Sequence, residues 1–207
     1  KLSYSTGRFT INFDQDFIHL PVDAPVSPVS IQAVIWDDVV EVFEVVGEYS
    51  HWFSQRLGMK CRLVYFPESK SRLVDVKYRL DNDHVSLADG YPFLIIGQSS
   101  LDDLNNRLPD IVPMNRFRPN FVFTGGHPYE EDDWRVFSIG KNRFAGVKPC
   151  GRCTLTTVDQ ETAVKGVEPL ATLSTFRKVN NKINFGQNLI ALDCHDIYED
   201  DEIHLES

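Results

Sequence analysis

Arg143-Phe144-Ala145-Gly146-Val147 leads directly into Lys148-Pro149-Cys150-Gly151-Arg152-Cys153, and that segment into Thr154-Leu155-Thr156-Thr157-Val158. The first and last five residues read as strands, and the Pro and Gly between them as a fixed turn. Outward from this unit the pattern repeats. Further strands are expected at Asn120 to Thr124, Val136 to Ile139, Leu189 to Asp193 and Glu202 to Leu205, separated by Gly, Pro and Asp clusters. Upstream, Tyr91-Pro92-Phe93-Leu94-Ile95-Ile96-Gly97 reads as a buried strand. A helix follows it, capped by Ser99 or Ser100, with Asp102 and Asp103 in its first turn and Leu101, Leu104 and Leu108 on its apolar face. Many short strands with few helices predict a mainly β fold of the α+β class, sheet-rich and barrel-like.

The N-terminal part is read in the same way. Residues 9–35 alternate apolar and polar side chains between prolines and predict short strands. Asp37 and Asp38 are expected to open a helix, because Val39, Val42, Phe43, Val46, Tyr49, Trp52, Phe53 and Leu57 recur at three- and four-residue steps before Gly58. Residues 60–66 return to strand and 67–85 read as loop, so the boundary between two units is expected near 75–87.

Bulk properties narrow the function. The chain has 207 residues, with 42% hydrophobic and 25% charged, an ordinary globular composition. A net charge of −9 argues against a general nucleic-acid binder, which needs excess Lys and Arg. That charge is uneven. Residues 107–182 hold 12 of the 21 basic residues and only 8 of the 30 acidic ones. A basic middle suits a small anionic ligand, and equally it suits solvated strands. No apolar run reaches the ~18 residues of a membrane helix, and Lys1-Leu2-Ser3-Tyr4 does not open a signal peptide, so no membrane segment and a cytoplasmic location are expected.

Four cysteines are too few for a disulfide scaffold in a chain this long. Cys61 and Cys194 read as small buried hydrophobes. Cys150 and Cys153 lie beside Lys148 and Arg152, and such cations lower a thiol pKa from its free value of about 8.5. Three readings stay open for this pair. Structural zinc wants four ligands, and with no second Cys pair His127 or His195 would have to be recruited. A thioredoxin-like redox pair wants a helix after it. A single thiolate on a soft metal is the third. A second cluster, Met114-Asn115-Arg116-Phe117-Arg118-Pro119-Asn120, puts Arg116 and Arg118 on one face if the segment is extended. Their forked guanidinium groups suit phosphate, and Asn120 offers both donor and acceptor; a solvated surface turn is the plainer alternative. Asp89-Gly90-Tyr91 forms a turn at a strand entrance.

These segments together resemble the MOSC family, proteins related to the C-terminal domain of molybdenum cofactor sulfurase. The resemblance runs through Ala88 to Leu108, Phe117-Arg118-Pro119-Asn120, Glu131-Asp132-Asp133-Trp134, Ile139-Gly140 and Cys150-Gly151-Arg152-Cys153-Thr154-Leu155-Thr156-Thr157-Val158-Asp159. It continues in Glu168 to Leu173 and Asn184-Phe185-Gly186-Gln187-Asn188. The nearest branch is that of YcbX and the mitochondrial amidoxime-reducing component. The resemblance implies a MOSC β-barrel over residues 84–207, with residues 1–80 forming part of the family's β-rich N-terminal domain. It implies molybdenum cofactor, with Cys153 as metal ligand and catalytic residue and Asp89 as the acidic residue beside the metal. Arg118 and Asn120 are implied to bind the cofactor, with Arg152, Gly90 and Tyr91 lining the site. Its Lys-Ser strand and arginine-bearing stretch are not matched in residues 1–80, so a partial N-terminal domain is expected. Neither an iron–sulfur cluster nor pyridoxal phosphate is expected. The implied activity is reduction of N-hydroxylated small molecules with electrons from a separate protein; the alternative is a non-catalytic cofactor carrier or sulfur-transfer domain.

Overall fold

The structure is a computed structural model and describes residues 1–70, 72–80, 83–88 and 90–206. It divides into two compact units, residues 1–72 and 73–207.

The first unit begins with an antiparallel meander, β1 (Leu2–Ser5), β2 (Arg8–Phe13) and β3 (Asp16–Pro21). A hairpin follows, β4 (Val26–Ile35) against β5 (Asp38–Val45). The helix expected from Asp37 onward is therefore half wrong. Its first part is β5, and only α1 (Tyr49–Leu57) is helical. The reason lies in side-chain shape. Val39, Val40, Val42, Val45 and Val46 are β-branched and stiff at χ1, which favours the pleated surface. Val40 and Val42 are buried in strand alternation while Val39 is exposed. Gly47, at φ 131°, separates strand from helix, and Gly58 stops α1 in the left-handed region as expected. Asp16 ties α1 to β3 by accepting from Trp52 Nε1 at 2.8 Å and by pairing with Arg56. The strand expected over 60–66 shrinks to β6 (Val64–Tyr65) on β5.

The second unit is built on one seven-stranded sheet that curls into a half-barrel. Its elements are β7 (Phe93–Gly97), α2 (Gln98–Asn105), β8 (Phe121–Phe123), β9 (Val136–Ile139), β10 (Asn142–Gly151), α3 (Leu170–Phe176), β11 (Lys178–Val179), β12 (Lys182–Ala191) and β13 (Ile203–Leu205). The strand order is β13-β9-β10-β12-β7-β8, with β11 folded onto β12. β7 and β8 are parallel, with α2 in the connection between them. The sheet edges β8 and β13 line a cleft of about 980 Å³.

Period-two alternation on β7 fills two cores at once. Leu94 and Ile96 pack with Leu101, Leu104, Phe117, Leu173 and Phe185, while Ile95 packs with Phe123, Trp134, Phe137, Phe144 and Leu189. Gly146 on β10 lets these layers close. A Cβ there would stand 2.2 Å from the Trp134 carbonyl oxygen.

Three local expectations are corrected here. β10 runs unbroken through Pro149 to Gly151, with bulges after Gly146 and Pro149, so Pro and Gly bend a strand rather than end it. Thr154–Thr157 is a 3-10 turn and not a strand. Its hydroxyls explain this: Thr156 Oγ1 donates to the Cys153 carbonyl at 3.0 Å, and Thr157 Oγ1 to that of Thr154 at 2.8 Å. Finally, α2 starts directly at Gly97 with no serine cap. Ser100 is buried inside it and donates to Glu131 Oε2 at 2.9 Å, while Gly97 N–H donates to Glu131 Oε1 at 3.2 Å. A fully buried carboxylate thus serves the helix start. Burial pushes its pKa up, against the lowering effect of those bonds.

Candidate functional site

Cys153 stands just past the end of β10, in extended conformation, at the head of the Thr154–Thr157 turn. Its thiol is free and the residue exposed. Cys150, three residues earlier on β10, is half-buried and packs on the core beside Phe117 and Phe185. Arg152 Nη1 donates to the Cys150 sulfur at 3.0 Å. The two thiols are therefore not equivalent. One faces out beyond the strand; the other is covered.

The backbone on both sides of Cys153 is held by one short segment. Arg152 Nη2 donates to the Phe117 carbonyl at 2.7 Å, and its guanidinium lies 5.5 Å from the Phe117 ring centre. Arg116 Nη1 donates to the Thr156 carbonyl at 3.3 Å, and Nη2 to Asp159 Oδ2 at 3.1 Å. Thr156 in turn binds the Cys153 carbonyl through both its hydroxyl and its N–H, at 3.0 and 3.3 Å. Asp159 is fixed from the other side by the N–H and hydroxyl of Thr162 and the N–H of Glu161. The Thr162 bonds come first among the interactions that hold its carboxyl below the ordinary range; Glu161 and Arg116 add to them.

Arg116 and Arg118 do not share a face of an extended segment. Met114–Arg116 is a 3-10 turn, Phe117 is buried behind it, and Arg118 adopts the left-handed conformation at φ 55°. The turn forms because its apolar side chain, Phe117, enters the core against Phe185 at 4.3 Å between ring centres. The two arginines separate in role as well. Arg116 is committed to the Cys153 turn, whereas Arg118 is exposed and no partner for its side chain is recorded among the described residues. Asn120 Oδ1 accepts from Leu94 N–H at 2.9 Å, so this acceptor pins the start of β8 to β7.

Tyr91 precedes β7 and packs on Val74, Val85 and Ile190. Its hydroxyl is buried with no hydrogen-bond partner recorded among the described residues, and burial first, then Asp75 and Tyr78, raises its pKa. The Lys148 ammonium lies 4.9 Å from its ring centre and 4.5 Å from that of Tyr78. Gly90 has open space around its Cβ position among the described residues. Asp89 lies outside the described residues. The structure thus brings the Arg118 loop and Cys153 together through Arg152 and Arg116, and links Tyr91 to β10 through Lys148. Asp159 and Lys148 were not among the expected site residues, and Arg116 was read only as a phosphate-facing partner of Arg118. The signal for Arg116 and Asp159 was present in the two motifs but pointed to a ligand rather than to each other.

Among the described residues no three His, Cys, Asp or Glu side chains gather as a metal cluster. The zinc reading of Cys150 and Cys153 gains no further ligands, and the pair does not open an α-helix. An exposed free thiol, fastened through Arg152 to the turn that leads into Arg118, is the donor that remains. It suits a soft metal whose other ligands arrive on an anionic organic cofactor.

The profile of the MOSC domain matches residues 82–204. The chain belongs to the MOSC family. Within this family it is similar to mitochondrial amidoxime-reducing component 1 of Mus musculus, at 36% identity over 165 residues, 76% of this chain and 48% of the relative. The Homo sapiens protein of that name is 41% identical over 123 residues, 56% of this chain and 36% of the relative. Molybdenum cofactor sulfurase of Arabidopsis thaliana is 33% identical over 157 residues, 66% of this chain and 19% of that protein. The MOSC chain thus spans about half or less of the length of these relatives. Among the described residues no helix is long and apolar enough to cross a membrane.

Proposed function

We propose that this MOSC chain holds molybdenum cofactor through the Cys153 thiolate and reduces N-hydroxylated small molecules such as amidoximes. The observation that carries the reading is the free, exposed Cys153 at the end of β10, fastened through Arg152 and Arg116 to the turn that leads into Arg118. The thiolate is a soft, charge-donating ligand, and the Arg118 guanidinium suits the phosphate of the pterin. Bound molybdenum supplies two-electron redox chemistry with transfer of oxygen. Overall, the N-hydroxylated substrate takes up two electrons and two protons, its N–O bond breaks, the nitrogen keeps a hydrogen in place of the hydroxyl, and the oxygen leaves as water. Electrons come from a separate electron-transfer protein. Asn120 and Arg152 support the cradle from its rim, Gly90 and Tyr91 line the opening, and Asp89 is assigned to protons beside the thiolate on family resemblance. Residues 1–80 are read as part of the N-terminal domain that accompanies MOSC barrels. Neither an iron–sulfur cluster nor pyridoxal phosphate is part of this reading. A cytoplasmic location is part of it, to be set by cell fractionation against the mitochondrial names of the relatives.

The test is metal analysis with cofactor fluorescence on protein from a molybdenum-competent host. Cofactor retained in wild type and Cys150→Ala but lost in Cys153→Ala is the expected result. Equal loss in both variants overturns the single-ligand site. The sulfurase match favours a second reading, a cofactor carrier or sulfur-transfer domain. Turnover of a benzamidoxime with an artificial electron donor separates the two, because a carrier loads cofactor and does not turn over.

A further inference from the structure

Cys153 lies between two anchoring points on the same neighbour. Before it, Arg152 holds the Phe117 carbonyl at 2.7 Å; after it, Arg116 holds the Thr156 carbonyl at 3.3 Å. Phe117 and Arg116 are adjacent in sequence, so residues 152–156 are fastened at both ends to a two-residue stretch that continues into Arg118. The second fastening is backed by a charge pair. The Arg116 side chain is only 13% exposed, and its fork is shared between the turn carbonyl and Asp159 Oδ2 at 3.1 Å. A partly buried charge pair of this kind holds direction as well as distance. Both guanidinium bonds run to the chain itself, so neither Arg116 nor Asp159 is assigned as a binding residue.

We propose that Arg116, backed by Asp159, is a positioning residue that sets the direction of the Cys153 thiol and its register against Arg118. This rests on the cofactor reading above. Its chemical logic is that a single protein ligand gives the metal no second point of fixation, so the turn carrying that ligand must itself be rigid. Outer partners that orient a metal ligand typically change affinity by about 10- to 100-fold when removed.

The experiment uses the whole chain in two states. In cofactor-free protein, amide hydrogen exchange is compared for wild type, Arg116→Met, Arg116→Lys and Asp159→Asn. Arg116→Met is expected to speed exchange at Thr156 and Val158 by about tenfold or more, while Ile95 and Phe185 in the adjoining sheet stay unchanged. Arg116→Lys keeps charge without the fork and is expected to fall between. Asp159→Asn, which leaves Arg116 in place, is expected to shift the same amides in the same direction. In the second state, cofactor occupancy is expected to fall about 10- to 100-fold in Arg116→Met, with partial recovery in Arg116→Lys. Unchanged exchange at the turn, or faster exchange spread evenly over the sheet in both Arg116→Met and Asp159→Asn, overturns the proposal. So does local loosening with cofactor occupancy equal to wild type. Wild type that takes up no cofactor at all sinks the functional reading instead, while the exchange measurements still decide whether the fastening exists.

Discussion

Arg118 combines two separable properties, a guanidinium with no recorded protein partner among the described residues and a left-handed backbone at φ 55°. Removing the side chain to Ala takes away the charge and keeps the backbone penalty, which is about 1 kcal/mol for a non-glycine residue. Arg118→Gly takes away both. Arg118→Gly is therefore expected to be about 1 kcal/mol more stable than Arg118→Ala in urea unfolding, although both lose cofactor affinity equally. A stability difference of zero removes the strain argument, and unequal affinities remove the guanidinium argument. Asn120 behaves in the opposite manner. Its Oδ1 is spent on Leu94 N–H, so Asn120→Ala is expected to cost about 1 kcal/mol, with Asn120→Asp restoring most of it. Cofactor loss in Asn120→Ala without that destabilisation would mark it as a ligand contact rather than a strand pin.

At the scale of elements, the start of α2 depends on a carboxylate drawn from a distant loop. Glu131 is fully buried, and burial raises its pKa above the ordinary value of 4.5. The folded state therefore binds the proton more tightly than the unfolded state. Its contribution is greatest below the unfolded value and is lost as pH rises through the raised folded value. Glu131→Gln removes this dependence. The unfolding free energy of wild type relative to Glu131→Gln is expected to decline from about pH 4.5 upward, measured by urea titration at successive pH values. A flat difference would show that the carboxylate ionises normally. The acidic run 130–133 gives no hint of this in sequence, because Glu131 looks as solvated as its neighbours. Burial depends on where Ser100 and Gly97 place their donors. The same kind of ambiguity hides β5: Val39, Val42 and Val46 satisfy the helical step, while Val40 and Val42 satisfy the strand step, and only tertiary packing chooses. By contrast β7 was legible because four apolar residues bounded by Pro92 and a glycine have few other uses. Ordered motifs singled out Cys153 as the candidate, yet they did not reveal the turn after it, since threonine hydroxyls bonded back to the chain leave no periodic trace.

Across the whole second unit, stability rests on aromatic rings shared between strands. Phe144 is 1% exposed and meets Phe93, Phe121 and Phe137 with ring centres 5.3 to 5.9 Å away. These rings come from four strands of the half-barrel, so one truncation reaches all of them. Phe144→Ala is expected to cost about 3–5 kcal/mol in chemical denaturation. A loss below about 1 kcal/mol would mean that the layers collapse around the gap. The cleft between β8 and β13 meanwhile is lined by Asn120 but by neither Cys153 nor Arg118, so Asn120 is the one candidate among these three that borders this concavity.

Two of the glycines already described turn into opposite tests under selection. Position 146 has no room for a side chain, because a carbonyl oxygen stands where a Cβ would go. In a saturation library it should return glycine alone, whether survivors are sorted for folding or for activity. Position 90 has vacant space around it among the described residues, so packing imposes nothing there. A library sorted for soluble expression should accept many residues at 90. If sorting the same library for cofactor retention restores glycine, the restriction belongs to the bound molecule, and the outline of an absent ligand will have been read from tolerated letters.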